Sequence, residues 1–154
     1  MKYEQFKNQW LNNFASPVYN VPGNKSKIKA EQYIWHLFSW KYLPEGSYLS
    51  GDEARAAFDK IKGRRKDSAI YIEPFGSKES FTLDPVNTNS QTLEAHVEIY
   101  VAGKDFSWTY IKTHENDMCG PYYCDKELLS RYFKKGANYK KVNSKMKKSE
   151  GNFN

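Results

Sequence analysis

TLEAHVEIYVAGKDFSWTYIKTH, residues 92–114, decides the fold of this 154-residue chain. Apolar and polar residues alternate on either side of Gly103, the period of a half-buried strand. Placing Gly103-Lys104 at a two-residue turn pairs the flanks so that Val101 faces Phe106, Ile99 faces Trp108, Val97 faces Tyr110 and Ala95 faces Lys112. The opposite face then carries Tyr100 with Ser107, Glu98 with Thr109, His96 with Ile111 and Glu94 with Thr113. The reading is an antiparallel hairpin, dry on one side. Glycine at the first turn position suits a type II′ turn, which needs positive φ there and matches the strand twist.

The remaining elements surround this hairpin. Upstream, Tyr3, Phe6, Trp10 and Phe14 recur at helical spacing until Pro17. A second helical pattern follows Val21-Pro22-Gly23, with Ser26 as its cap and Ala30, Ile34, Leu37 and Phe38 on one face. The third is the best marked: Ser50 and Glu53 fit a capping box, Ala54, Ala57, Phe58 and Ile61 form the stripe, and Gly63 closes it. Beyond the basic corner Arg64-Arg65-Lys66 the period turns extended. Ser68–Glu73 and Ser80–Leu83 read as strands, and Asp84–Gln91 as a polar loop. A short helix is expected from about Asp125 to Phe133. The class is therefore α+β, with N-terminal helices packed on one face of an antiparallel sheet of about four strands. One domain spans residues 1–133.

Residues 134–154 differ in kind. They hold seven lysines against the single acid Glu150, a net +6 that equals the formal charge of the whole chain, so residues 1–133 are neutral. With few apolar groups the tail is expected to stay disordered. It is a solubilising end or an electrostatic arm in which Lys140, Lys141, Lys145, Lys147 and Lys148 bind nucleic acid. The opening residues lack the apolar run of a signal peptide, and no segment approaches the ~20 apolar residues of a membrane span. A cytoplasmic protein without a membrane partner follows, with Cys119 and Cys124 as reduced thiols.

No Walker loop, dinucleotide fingerprint, nucleophile-elbow serine or paired-carboxylate motif is present, and no cofactor or metal is expected. Of three histidines, His114 is the strongest candidate. It ends the last strand, on the side of Trp108, Tyr110 and Lys112, where the loop Glu115–Pro121 would shape a pocket. His36 as its acid–base partner and Lys112 for a developing negative charge would make a metal-independent nuclease or phosphoester site, provided the second helix covers the strand end. A zinc site from His114, Cys119 and Cys124 has an unfamiliar ligand spacing. His96 reads as an exposed strand residue. The alternative to catalysis is binding: Trp108, Tyr110, Tyr122 and Tyr123, with Glu115, are residue types suited to anchor a protein partner.

Two blocks carry a resemblance. Trp35-His36-Leu37-Phe38-Ser39-Trp40 with Leu49–Ala54 and Ala57-Phe58, and Phe106–Glu115 with Cys119-Gly120-Pro121-Tyr122-Tyr123, resemble a small bacterial family, domain of unknown function 4275. Trp10–Ala15 is similar as well, so the likeness spans residues 3–124. Family members carry an aromatic where this chain has Met118, and they end sooner, leaving the basic tail as an addition. The resemblance implies no activity. A looser likeness to the immunity proteins of bacterial toxin systems favours a regulatory or immunity-like binding protein over an enzyme.

Overall fold

The computed structural model describes residues 1–61, 68–75 and 79–133. The basic corner, the closing Gly63 and the lysine-rich tail lie outside the described residues.

Helix α1 (Tyr3–Phe14) buries Phe6, Trp10, Leu11 and Phe14, the stripe its sequence sets out, and ends before Pro17 in a 3-10 turn, Ser16–Val18. The second helical pattern is broken in two. Helix α2 (Asn24–Ala30) begins after Gly23, leaving Ser26 inside it, and stops where Glu31 turns extended at ψ 137°. A short α3 (His36–Ser39) resumes after Tyr33 and Trp35. The two-residue strand β1 (Leu49–Ser50) leads into α4 (Gly51–Lys60), whose Ser50 cap makes no side-chain hydrogen bond. Strand β2 (Ala69–Ile72) lies within its expected range. The expected strand at residues 80–83 is reduced to a bridge between Phe81 and Tyr71. Where the sequence suggested a loop running into a strand, Asn89 caps a four-residue helix α5 (Ser90–Leu93), accepting from Thr92 N at 2.9 Å. Strands β3 (Ile99–Gly103), β4 (Trp108–Lys112) and β5 (Tyr122–Asp125) follow. Asp125 then caps the last helix, α6 (Lys126–Tyr132), accepting from Leu128 N at 2.7 Å.

The sheet is antiparallel throughout, in the order β1-β5-β4-β3-β2. The α+β class holds, with five strands. Its central hairpin differs from the sequence reading in register. The pairs are Ile99/Lys112, Tyr100/Ile111, Val101/Tyr110 and Ala102/Thr109, four positions from those expected. An even slip leaves Ile99–Ala102 and Trp108–Ile111 on their assigned faces, because strand side chains alternate with period two, whereas Phe106, in the turn, crosses to the α1 side. The cause lies at Gly103, which ends the strand instead of opening the turn. A Cβ there would stand 2.7 Å from the Trp108 indole nitrogen, so glycine serves a close approach of that ring. The chain reverses over Lys104–Ser107 with Phe106 at φ 54°, and the Phe106 ring packs 5.5 Å from Phe6 of α1.

Both faces of the sheet are dry, which corrects the one-sided hairpin. Tyr100, Ala102, Ile111, Tyr122 and Cys124 meet α1 and the Leu37-Phe38 segment. Ile99, Val101, Trp108, Tyr110 and Tyr123 meet Ala54 and Phe58 of α4. Thr109, polar in the sequence pattern, is buried because the Trp10 indole donates to its hydroxyl at 2.8 Å and that hydroxyl donates to Val101 O at 2.7 Å. Among the described residues no helix is long and apolar enough to cross a membrane.

Candidate functional site

The break between α2 and α3 creates the site. With the helix interrupted after Ala30, Tyr33 and Trp35 fall on one side of the chain, and their rings stack at 5.1 Å and 13°. His36 stands edge-on to both, 5.4 Å from Tyr33 and 4.8 Å from Trp35, and one turn on it stacks with Trp40 at 4.5 Å. His114 reaches the same pair from beyond β4, 5.0 Å from Tyr33 and 5.8 Å from Trp35, with Phe75 6.0 Å away. A continuous row of rings results: Trp40, His36, the Tyr33–Trp35 stack, His114 and Phe75. Its ends are open, Trp40 being 53% and Phe75 45% exposed.

Beneath the row sits Glu98, a carboxylate with none of its side chain exposed. Burying a charged carboxylate is costly unless its oxygens are hydrogen-bonded. Here they are. His114 donates to Oε1 twice, from its backbone N at 2.9 Å and from Nδ1 at 2.6 Å. Trp35 Nε1 donates to Oε2 at 3.2 Å, and the Tyr100 hydroxyl donates to the same oxygen. Burial first, then Tyr3 and Glu98 beside it, pushes the Tyr100 phenol far above its ordinary value and keeps it a donor. With Nδ1 committed to Glu98, the nitrogen left to His114 for outside chemistry is Nε2. His36 repeats the arrangement, its Nδ1 2.8 Å from Glu31 Oε2.

The structure thus brings His36 and His114 to one aromatic stack and separates Lys112 from them. Lys112 faces the other core, and its ammonium donates to His96 O at 2.6 Å and Val97 O at 3.1 Å, holding the turn before β3. His114 had been expected on the side of Trp108, Tyr110 and Lys112. It departs from that side because β4 ends at Lys112 and the His114 backbone turns onto Glu98. His96 is not on a strand: it follows α5 and pairs with Glu73, Nδ1 to Oε1 at 3.3 Å.

The proposed anchors also move. Trp108 and Tyr110 pack against Phe58 at 6.1 and 4.5 Å, and with Tyr122 and Tyr123 they are buried, at most 5% exposed. They fill the two cores, and of the four only Tyr122 also lines a surface groove. Glu115 fixes its loop through the backbone, accepting from Met118 N at 3.0 Å and Cys119 N at 2.7 Å. That loop does line a groove of about 490 Å³, between Phe38, Tyr48, Arg55 and Asp117, but His114 is not on its wall. Arg55 is already bridged there to Asp117 and Asp52, at 2.9 and 2.8 Å. Burial, and then Glu115, raises the Cys119 thiol, which lines the groove, while Cys124 is enclosed in the core. His114, Cys119 and Cys124 do not gather into a metal site, and no group of three or more such residues does so among those described.

Glu98, Glu31, Tyr33, Trp40 and Phe75 were missed from the sequence. The available signal was Glu98 itself, one charge inside the run Val97-Glu98-Ile99-Tyr100-Val101. A second was the crowding of four ring residues and a histidine into Tyr33–Trp40.

Fold and site define a small α+β domain, an antiparallel sheet between two helical layers with a ring-lined patch at one strand end. Residues 2–123 match the model of the family described as domain of unknown function (DUF4275), and the chain belongs to that family. Neither a curated protein nor a solved structure matches it.

Proposed function

We propose that this protein works by binding a partner protein through the row of rings from Trp40 to Phe75, as a regulatory or immunity-like partner of another bacterial or phage protein. One observation carries the reading: large rings lie open at both ends of a row whose middle is fixed from below by a buried, fully bonded carboxylate. Rigid, partly exposed aromatics lose little side-chain entropy on association and are the residue types that dominate interface energies. The test is affinity capture from the native host with the wild-type protein and a Trp40→Ala/Phe75→Ala variant. A stoichiometric partner lost from the variant, while the variant keeps its melting temperature, supports the reading. An unchanged set of captured proteins overturns it.

A second reading is favoured by the bond between His114 Nδ1 and Glu98, an arrangement that aims an imidazole for proton transfer. His114 and His36 would act as base and acid on a phosphoester, without Lys112. Labelled RNA and cyclic nucleotides incubated with wild type and His114→Ala decide it. Equal turnover by both, or none by either, eliminates this chemistry.

A further inference from the structure

Glu98 serves both imidazoles of the row at once. One of its oxygens holds His114, accepting from the backbone N at 2.9 Å and from Nδ1 at 2.6 Å. The other accepts from the Trp35 indole at 3.2 Å and from the Tyr100 hydroxyl. Trp35 in turn sets the place of His36. Its ring stands edge-on to both imidazoles, 4.8 Å from His36 and 5.8 Å from His114. Its backbone is the cap from which α3 starts, and its carbonyl accepts from Phe38 N at 3.0 Å and Ser39 N at 3.1 Å. The turn that carries His36 thus begins at a residue tied to Glu98. Glu31 bonds the His36 ring directly, but its side chain is 15% exposed and that of Glu98 not at all. A hydrogen bond closed to water is the stronger constraint.

We infer that Glu98 is a positioning residue for the two imidazoles together, fixing His114 directly and His36 through Trp35, so that their separation is constant. The inference rests on the second reading above, proton transfer by this pair, which needs both rings held in one geometry. A carboxylate suits the task because both of its oxygens accept, and the groups it ties down, the His114 backbone N–H and the Trp35 indole N–H, can only donate. Glu98→Ala opens both tethers. Trp35→Phe keeps a ring in place and opens only the tether that leads to α3.

The readout is water exchange of the hydrogen-bonded Nδ1–H protons of His36 and His114, followed by NMR in the full-length protein. Glu98→Ala should speed exchange at both rings by about tenfold, the worth of one hydrogen bond. Trp35→Phe, the safer variant for folding, should speed it at His36 while His114 keeps the wild-type rate. His96, bonded to Glu73 off the row yet two residues from Glu98, should not change in either variant and guards against general loosening. A folded variant in which His36 exchanges at the wild-type rate overturns the inference, and so does equal acceleration at His36, His114 and His96 alike. Labelled RNA tests the proton-transfer reading separately. If wild type turns it over, both variants should lower kcat by about ten- to a hundredfold with KM little changed, and an unchanged kcat overturns the inference. Coupled exchange without turnover removes the phosphoester chemistry and leaves the positioning. Turnover with an unmoved His36 keeps the chemistry and removes the role of Glu98.

Discussion

The two faces of the sheet are built from similar residues and do different things with them. On the α4 face, Trp108, Tyr110, Tyr71 and Phe58 form a closed aromatic core, and the Tyr110 hydroxyl is buried without a hydrogen-bond partner among the described residues. On the α1 face, Tyr100 lies equally deep, but its hydroxyl bonds Glu98, and that carboxylate continues through Trp35 and His114 to rings at the surface. One face stores apolar area. The other spends part of its stability to hold a surface constellation in place, so an aromatic residue here is core or contact according to the layer it enters.

The largest expected effect lies on the closed face. Phe58 is buried and stacked on Tyr110, so Phe58→Ala should cost roughly 3–5 kcal/mol, read by chemical denaturation. A cost under about 1 kcal/mol would mean that α4 contributes little and that the two layers are not comparable.

A pair of single-atom deletions separates the faces more sharply. Tyr100→Phe removes a donor to a buried carboxylate and should cost about 1.5–3 kcal/mol. Tyr110→Phe removes a hydroxyl with no hydrogen-bond partner among the described residues, and should lie within about 0.5 kcal/mol of wild type or stabilise. Equal costs would erase the distinction between the layers.

Alkaline pH acts on both faces together. Burial raises the Tyr100 and Tyr110 phenols and the Cys124 thiol above their ordinary values, so the folded state keeps protons that the unfolded chain releases. The unfolded state then binds fewer protons, and stability falls as pH rises. The fall starts near the unfolded thiol value of about 8.5 and steepens past the phenol value of about 10, at up to roughly 1.4 kcal/mol per pH unit for each group. Denaturation midpoints measured from pH 7 to 11 check it: a flat profile would mean that these groups are open to water. Below about pH 7 none of the three contributes an appreciable slope.

Much of this fold was legible as period and much of the site was not. Tyr3, Phe6, Trp10 and Phe14 give α1 directly, and the alternation through Ile99–Val101 and Trp108–Tyr110 gives the two faces even though the register was four positions away. Register depended on the space Trp108 needs over Gly103, a contact between two elements that no local pattern contains. The site was hidden for the same reason. Glu98 and His114 are 16 residues apart and Trp35 and Glu98 63 apart, so neither contact lies within the reach of a local pattern. Polar residues read as solvent-facing when their partners are distant in sequence, as Thr109 did before Trp10 was placed beside it.

The smallest stability change falls at the open ends of the row, and it is the most informative about function. Trp40 and Phe75 each keep about half their surface in water, so Trp40→Ala and Phe75→Ala should each shift stability by no more than about 0.5 kcal/mol. A ring kept at such positions for its packing would cost several times that when truncated, as is expected of Phe58 on the other face. Thermal unfolding of each single variant beside wild type distinguishes the cases. A near-silent melt together with lost partner capture means that these rings serve contact. A large loss of stability in either would place that ring in the core layer beneath it, and the row would end one residue sooner.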